Sequence, residues 1–246
     1  SFDFANHPQV SFQHDAALAC YSQEIHTGIV VDFGYSYLRV IPVLEGHPLR
    51  RGIKLLKLGG FDITSFLFQS MKANGKSVRT FLDPKTSYTL GDFEAQQGVV
   101  MPTASQVEFC ERGILIDMIK NVLNFGYGTD EVDEKSSFKD YIYFMPGHEP
   151  VEIKNEIQNL ADLFWQDSDE HTSLQTTIAE SINSLPAELH ERMWSSIVTT
   201  GGLSQLRGFR KMLERQLSLI APKGIKPKVV LPKFDETQGP FSVWVG

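Results

Sequence analysis

Apolar positions along this chain switch between two periods. Gly28-Ile29-Val30-Val31 is a short apolar run that ends at Asp32, and Gly34 permits a turn into a second run, Tyr37 to Val43. The pattern predicts a β-hairpin with a carboxylate at its tip. Ile53 to Leu58 reads as another strand, stopping at Gly59-Gly60. Helical spacing then takes over at Ile63, Phe66, Leu67 and Met71, with Asp62 where an N-cap is expected. Thr103 opens a longer helix through Val107, Cys110, Ile114, Ile119, Val122 and Leu123, ended by Gly126 and Gly128. Phe12 to Tyr21, Val151 to Phe164, Ser173 to Leu185 and Pro186 to Ser196 read as shorter helices, the last with Pro186 in its first turn. Tyr141 to Met145, Val229 to Leu231 and Phe241 to Trp244 are candidate strands. Residues 81–100 show no period and read as an irregular excursion, and 128–139 as a charged, mobile connection.

A second glycine turn stands far from the first. Ile197-Val198 leads into Gly201-Gly202, and an amphipathic helix with Phe209, Met212, Leu213, Leu217 and Ile220 on its apolar face follows. A strand, a glycine turn and a helix N-terminus in succession can cradle an anion, because free N–H groups and the helix dipole point outward there. Such a turn can equally do no more than connect two elements. Strands alternating with helices give a mixed α/β plan.

Composition narrows the classes. With 246 residues, 41% of them hydrophobic, the chain can bury a sizeable core as one large domain or two small ones. A formal net charge of −7 argues against a general nucleic-acid binder, which needs a basic footprint to displace counterions. The basic groups Lys72/Lys76/Arg79 and Lys223/Lys226/Lys228 read as solvated loops. Cys20 and Cys110 are the only cysteines, which predicts no disulfide framework and fits a reducing compartment. The seven histidines are scattered without metal-ligand spacing. No apolar run reaches the length that crosses a bilayer, so membrane insertion is not expected.

In collinear order, Asp32-x-Gly34, Gly59-Gly60-Phe61-Asp62-Ile63-Thr64, Lys120, Thr200-Gly201-Gly202 and Ser242-Val243-Trp244-Val245-Gly246 resemble the second half of actin and the actin-related proteins. Asn6-x-Pro8, Glu45-Gly46, Asn155-Glu156 and Leu163-Phe164 extend the resemblance from Phe2 to the last residue. It implies an α/β, actin-like ATPase (ribonuclease H-like) domain, the second half of that fold with an inserted helical subdomain. Residues 1–58 and 141–246 are then subdomain 3, and 59–140 are subdomain 4 with divergent insertions. In actins a first phosphate loop precedes this region and helices follow the final Trp-x-Gly. The chain is therefore expected to be a fragment, or a reduced family member, that holds half of a nucleotide cleft.

The resemblance implies ATP or ADP with Mg²⁺ as the ligand, and it assigns positions one by one. Asp32 matches the carboxylate that organises the waters of Mg²⁺, and Gly34 the residue whose backbone nears the phosphates. Phe33, Tyr35 and Ser36 stand where actin has Ser, Asp and Gly. Gly60 and Asp62 match a ribose-side turn, and Gly201 and Gly202 the glycines under phosphates and ribose. Lys120 fits the lysine of the adenine clamp, but Asn121 replaces the Glu that holds the ribose. Leu206 replaces the Tyr that stacks on adenine, and Pro240 a Lys at the base pocket. Asp15 aligns with the Gln that positions the attacking water; it reads either as a water-orienting base or as a helix-surface acid. These exchanges imply nucleotide binding without efficient hydrolysis, and so a role in assembly.

Within the family, Leu163-Phe164 through Asp167-Ser168-Asp169-Glu170, Ser173, Thr177-Ile178, Ser181-Ile182 and Pro186 resemble the pointed-end branch that caps the dynactin filament. That branch implies a cytoplasmic, cytoskeletal, non-polymerising subunit that supports dynein cargo transport. Its partners would be the actin-related filament protein and the pointed-end subunits of dynactin. Asn183-Ser184-Leu185-Pro186 is similar to nuclear actin-related subunits of chromatin-remodelling complexes, with those subunits as the alternative partners. Asp32, Gly34, Lys120 and Gly201-Gly202 also fit an active ATPase. Direct contact with nucleic acid is not expected. The tracts 76–100 and 128–140 read either as solvent loops or as surfaces that block another actin-like subunit.

Overall fold

The computed structural model describes residues 12–80, 102–123, 125, 142–145, 149–168 and 171–230. The segment Phe2 to Pro8, the 81–100 excursion, the 128–139 connection, Gly126, Gly128, Pro240 and the strand expected at Phe241 to Trp244 lie outside these residues.

The hairpin forms as its apolar runs predict. β1 (Gly28–Phe33) pairs antiparallel with β2 (Leu38–Leu44), with Phe33 opposite Leu38 and Asp32 opposite Arg39. On the other side of β1 lies β7 (Ile197–Gly201), parallel to it, with Asp32 level with Thr200. β3 (His47–Pro48) and β4 (Lys54–Leu56) both pair with β2. β4 is shorter than the expected Ile53–Leu58 strand because β2 pairs with it only from Leu38 to Val40.

Side chains alternate along a strand, so β1 feeds two cores. Ile29, Val31 and Phe33 join a large cluster, whereas Val30 joins a small one with Ile41, Val43 and Val198. The small cluster is roofed by α1 (Asp15–Tyr21), which brings Ala16, Ala19 and Cys20 down on the sheet. The large cluster takes in α2 (Gly60–Ala73), α3 (Ala104–Val122), α4 (Lys154–Asp162), α5 (Leu174–Asn183), α6 (Ala187–Trp194) and α7 (Phe209–Ile220). Its aromatic centre is Phe33, Phe125, Phe164, Trp165 and Phe209, with Phe209 edge-on to Phe33 at 5.0 Å between ring centroids. Among the described residues no helix is long and apolar enough to cross a membrane.

Several local expectations change. Asp62 is not the N-cap of α2; Gly59 is, and the Asp62 carboxylate one turn in accepts the Gly59 N–H at 2.9 Å. The cap must be glycine because a Cβ there would lie 2.4 Å from the Tyr35 carbonyl oxygen. The expected Val151–Phe164 helix divides: β6 (Val151–Glu152) pairs with β5 (Ile142–Tyr143) before α4 begins at Lys154. Gly202–Gln205 form a 3₁₀ turn, and α7 starts only after Gly208, whose φ of 73° makes it the left-handed N-cap. The Gly201-Gly202 turn therefore does not deliver an α-helix N-terminus directly. Pro186 is the N-cap of α6, just outside its first turn. Val229 makes only an isolated parallel bridge to Ile197. Lys76 is not a solvated loop residue, since its Nζ lies 2.7 Å from the buried Glu156 carboxylate.

Thr103 caps α3 as its sequence predicts. Its hydroxyl accepts the Gln106 N–H at 3.3 Å, and Gln106 Oε1 accepts the Thr103 N–H at 2.8 Å, a reciprocal capping box. Thr103→Ala is expected to cost about 1 kcal/mol, read as a lowered midpoint in urea unfolding followed by circular dichroism. An unchanged midpoint would show that α3 is held by its buried face alone. Cys20 is free and buried, and that burial pushes its thiol pKa up to about 12. The folded protein is accordingly expected to resist iodoacetamide at Cys20, with adducts appearing by mass spectrometry only once denaturant is added.

Candidate functional site: an ion-paired cleft at the end of the sheet

The sheet ends where β1 turns into β2, and the hairpin register builds the first part of the site. Asp32 and Arg39 are cross-strand partners, so their side chains share a face, the one roofed by α1. Arg39 Nε donates to Asp32 Oδ2 at 2.9 Å, and Nη2 donates to the same oxygen. Nη2 also reaches Asp15 Oδ2, at 2.6 Å, on the first turn of α1. Asp15 Oδ1 accepts the Ala16 N–H and lies 2.8 Å from His14 Nδ1. Asp15, Asp32 and Arg39 line a cavity of about 180 Å³ together with Ala16, Val30, Ile41 and Thr200.

Charge state follows from these contacts. Burial alone would raise the Asp15 pKa, but the hydrogen bond and charge of Arg39, the Ala16 N–H and His14 outweigh it and hold the carboxyl below its usual range. Burial likewise works against the Arg39 cation, and the two carboxylates reverse that effect, raising its pKa. Asp15 and Arg39 are thus each held in their charged form by the other. Arg39 was not among the residues the sequence singled out. The signal was present in the hairpin: pairing Phe33 with Leu38 across the turn places residue 39 opposite residue 32.

Three glycine turns meet at the same end of the sheet. The Gly34 N–H donates to the Tyr37 carbonyl at 3.1 Å, and the Gly34 carbonyl accepts the Gly60 N–H at 3.1 Å. Gly201 holds a φ of 89°, and a Cβ on it would lie 2.4 Å from the Phe33 carbonyl oxygen. Gly202 faces open space, with nothing within 4 Å of where a Cβ would stand. Asp15, Asp32, Gly34, Tyr35, Gly60, Asp62, Gly201 and Gly202 therefore lie on elements joined at this end. Asp62 is engaged with the Gly59 N–H.

The remaining assigned positions are placed differently. Lys120 and Asn121 are exposed on the last turn of α3, and Asn121 Nδ2 donates to the Asp117 carbonyl of its own helix at 2.9 Å. Leu206 is buried in the large core, so its side chain offers no open face for a base. Tyr35, half exposed, joins the hairpin turn to the helices: its ring meets Phe61 edge-on and its hydroxyl accepts from Arg112 Nη1 at 2.9 Å. The Arg112 guanidinium stacks 4.4 Å from the Phe61 ring centroid and binds Glu108. Arg112 too went unmarked in the sequence. It flanks a groove of about 300 Å³ between α2 and α3, lined by Phe61, Thr64, Phe68, Glu111 and Leu115.

At Gly34, Gly59 and Gly201 the space of a side chain is taken by the chain's own carbonyls, and of the glycines at this end of the sheet Gly202 is the one left open to the backbone approach that a phosphate chain requires. As direct ligands the carboxylates do not suit Mg²⁺. A hard dication needs oxygen lone pairs presented at short range, and Asp32 Oδ2 is already taken by two Arg39 donors. Among the described residues no group of three or more His, Cys, Asp or Glu is arranged to hold a metal ion.

Known proteins resemble this chain along its whole length. The profile of the Actin family matches residues 1–246. Actin-related protein 4 of Arabidopsis thaliana is 23% identical over 256 residues, covering 97% of this chain and 58% of that protein. Actin-like protein 7A of Mus musculus is 23% identical over 251 residues, covering all of this chain and 49% of its own length. The Rattus norvegicus protein of the same name is 24% identical with the same coverage. The chain thus spans about half the length of these curated relatives. The full-length match, and a sheet in which an antiparallel hairpin ending in Asp32-x-Gly34 lies beside a parallel strand ending in Gly201-Gly202, lead to one assignment: this chain belongs to the actin family.

Proposed function

We propose that this chain serves as the subdomain 3 and 4 half of a non-polymerising actin-related subunit, which caps the pointed end of the dynactin filament and so supports dynein cargo transport. The observation that carries the non-catalytic part is the Arg39 bridge between Asp32 and Asp15. A carboxylate held below its usual pKa by a guanidinium is a poor acceptor for a proton from water, so Asp15 is unsuited to act as a base. A cleft of this kind supports holding a nucleotide rather than turning it over. The dynactin reading rests on the resemblance along Leu163 to Pro186 and carries with it a cytoplasmic, cytoskeletal location.

A second reading, a nuclear subunit of a chromatin-remodelling complex, is favoured by Asn183-Ser184-Leu185-Pro186. Affinity purification of the full-length protein from its own cells, followed by mass spectrometry of stoichiometric partners, separates the two. Recovery of dynactin filament and pointed-end subunits supports the capping role. Chromatin-remodelling subunits in their place overturn it, and ATP-dependent self-assembly with phosphate release overturns both readings.

A further inference from the structure

We infer that Arg39 is a resident cation that takes the place of a divalent metal ion at Asp32, so that this cleft does not recruit Mg²⁺. The inference uses the same cleft as the proposed function but is independent of which assembly the protein joins.

Strand pairing places the charge. Arg39 lies opposite Asp32 in the β1–β2 register, so the backbone holds the guanidinium over the carboxylate. Two of its nitrogens converge on Asp32 Oδ2, and Nη2 extends to Asp15 Oδ2 at 2.6 Å. One planar, permanently charged group thereby ties the hairpin tip to the first turn of α1, a task for which a fork of N–H donors is well shaped. The Asp32 side chain keeps only 17% of its surface exposed, so its partner has little competition from water.

A divalent cation arriving here meets two obstacles. Asp32 Oδ2 and Asp15 Oδ2 are committed to Arg39 N–H donors and Asp15 Oδ1 to the Ala16 N–H, and the guanidinium charge repels the ion at the separation where it would have to sit. Water lost from Mg²⁺ is recovered only through well-placed oxygens, and the two Oδ2 atoms that share Arg39 Nη2 become available only if Arg39 leaves. Removing Arg39 would leave two carboxylates facing one cavity, which is the arrangement that invites a divalent ion.

Mn²⁺ alone is the probe, titrated into the protein and followed by the electron paramagnetic resonance signal of the free ion. The wild-type protein should leave Mn²⁺ free, whereas Arg39→Gln should bind it about tenfold or more tightly than wild type does. The double variant Arg39→Gln/Asp32→Asn should lose that gain. Saturable Mn²⁺ binding by the wild type that Asp32→Asn abolishes would overturn the inference. So would an Arg39→Gln protein that folds and binds no better than wild type. Should Arg39→Gln fail to fold in chelator, Mn²⁺ ought to restore its helical circular dichroism, because the ion then does the work of the missing side chain. No recovery on adding Mn²⁺ counts equally against Arg39 as a stand-in for the metal.

Discussion

Replacing Lys76 by Met is expected to destabilise the chain by about 3–5 kcal/mol, although the residue lies just beyond a helix end, where charge changes usually matter little. The reason is what Lys76 neutralises. Glu156 is fully buried; its Oε1 accepts from Lys76 Nζ at 2.7 Å and from Asn74 Nδ2 at 2.8 Å, while Oε2 has no hydrogen-bond partner. Cutting away the ammonium leaves an uncompensated charge in the core, which costs far more than a surface ion pair. The control is Lys72→Met, an exposed lysine in the last turn of α2, expected to change stability by about 0.5 kcal/mol or less. Equal urea midpoints for the two variants at neutral pH would refute the argument.

Acidity gives the same pair a second signature. Burial by itself would raise the Glu156 pKa, but Lys76 and Asn74 hold it below the ordinary 4.5. A carboxyl with a depressed folded pKa contributes stability that is fully present above its unfolded value and fades as pH falls through the folded one. In Lys76→Met the burial effect wins and the pKa rises above the ordinary value. The deficit of the variant relative to wild type should therefore shrink in mild acid, as Glu156 is protonated. Urea titrations at neutral and mildly acidic pH measure this directly.

Phe209→Ala should cost about 4 kcal/mol, through a cavity at the centre of the aromatic cluster. Phe209 is fully buried and touches four rings: Phe33 at 5.0 Å, Phe125 at 5.1 Å, Trp165 at 5.8 Å and Phe164 at 6.1 Å. These rings come from β1, the segment after α3 and the segment after α4, so one side chain ties α7 to three other parts of the chain. The near-ultraviolet circular dichroism of Trp165, which stacks on Phe209 at 25°, should weaken with the loss of stability. Phe109→Ala, on a ring that is 80% exposed, should leave both measurements nearly unchanged. A small effect at Phe209 would mean that the cluster collapses to refill the space.

What could be read from the sequence was local. The apolar run to Asp32 and the hinge at Gly34 predict β1 and β2 because strand and turn are adjacent in the chain. Thr103 predicts the start of α3 because a helix start is a local signal, and the capping box it forms with Gln106 spans only four residues. Legibility failed where the partner was distant. Val151–Glu152 becomes a strand only because Ile142–Tyr143 lies beside it, and nothing in either dipeptide announces the pairing. Lys76 and Glu156 are 80 residues apart, so the lysine reads as one more surface charge and the glutamate as a family motif. Arg39 was obscured differently: one polar residue in an apolar strand looks like an edge position until the register sets it opposite Asp32. In the same way, Leu206 occupies the place of an adenine-stacking ring in the family pattern, yet its own chemistry takes it into the core.

The parallel partnership of β1 and β7 also sets a timetable for the nascent protein. β1 is synthesised well before β7, and its second edge finds Ile197–Gly201 only after nearly every helix of the large core has left the ribosome. Until then the backbone of Ile29 to Phe33, flanked by some of the most apolar side chains in the chain, offers an open template to any passing strand. Pairing over so long a separation is slow because the loop must close before any contact repays it. Biogenesis of this protein therefore includes an interval of vulnerability that ends when β7 docks, and it is during that interval, rather than in the finished fold, that a chaperone would have most to do.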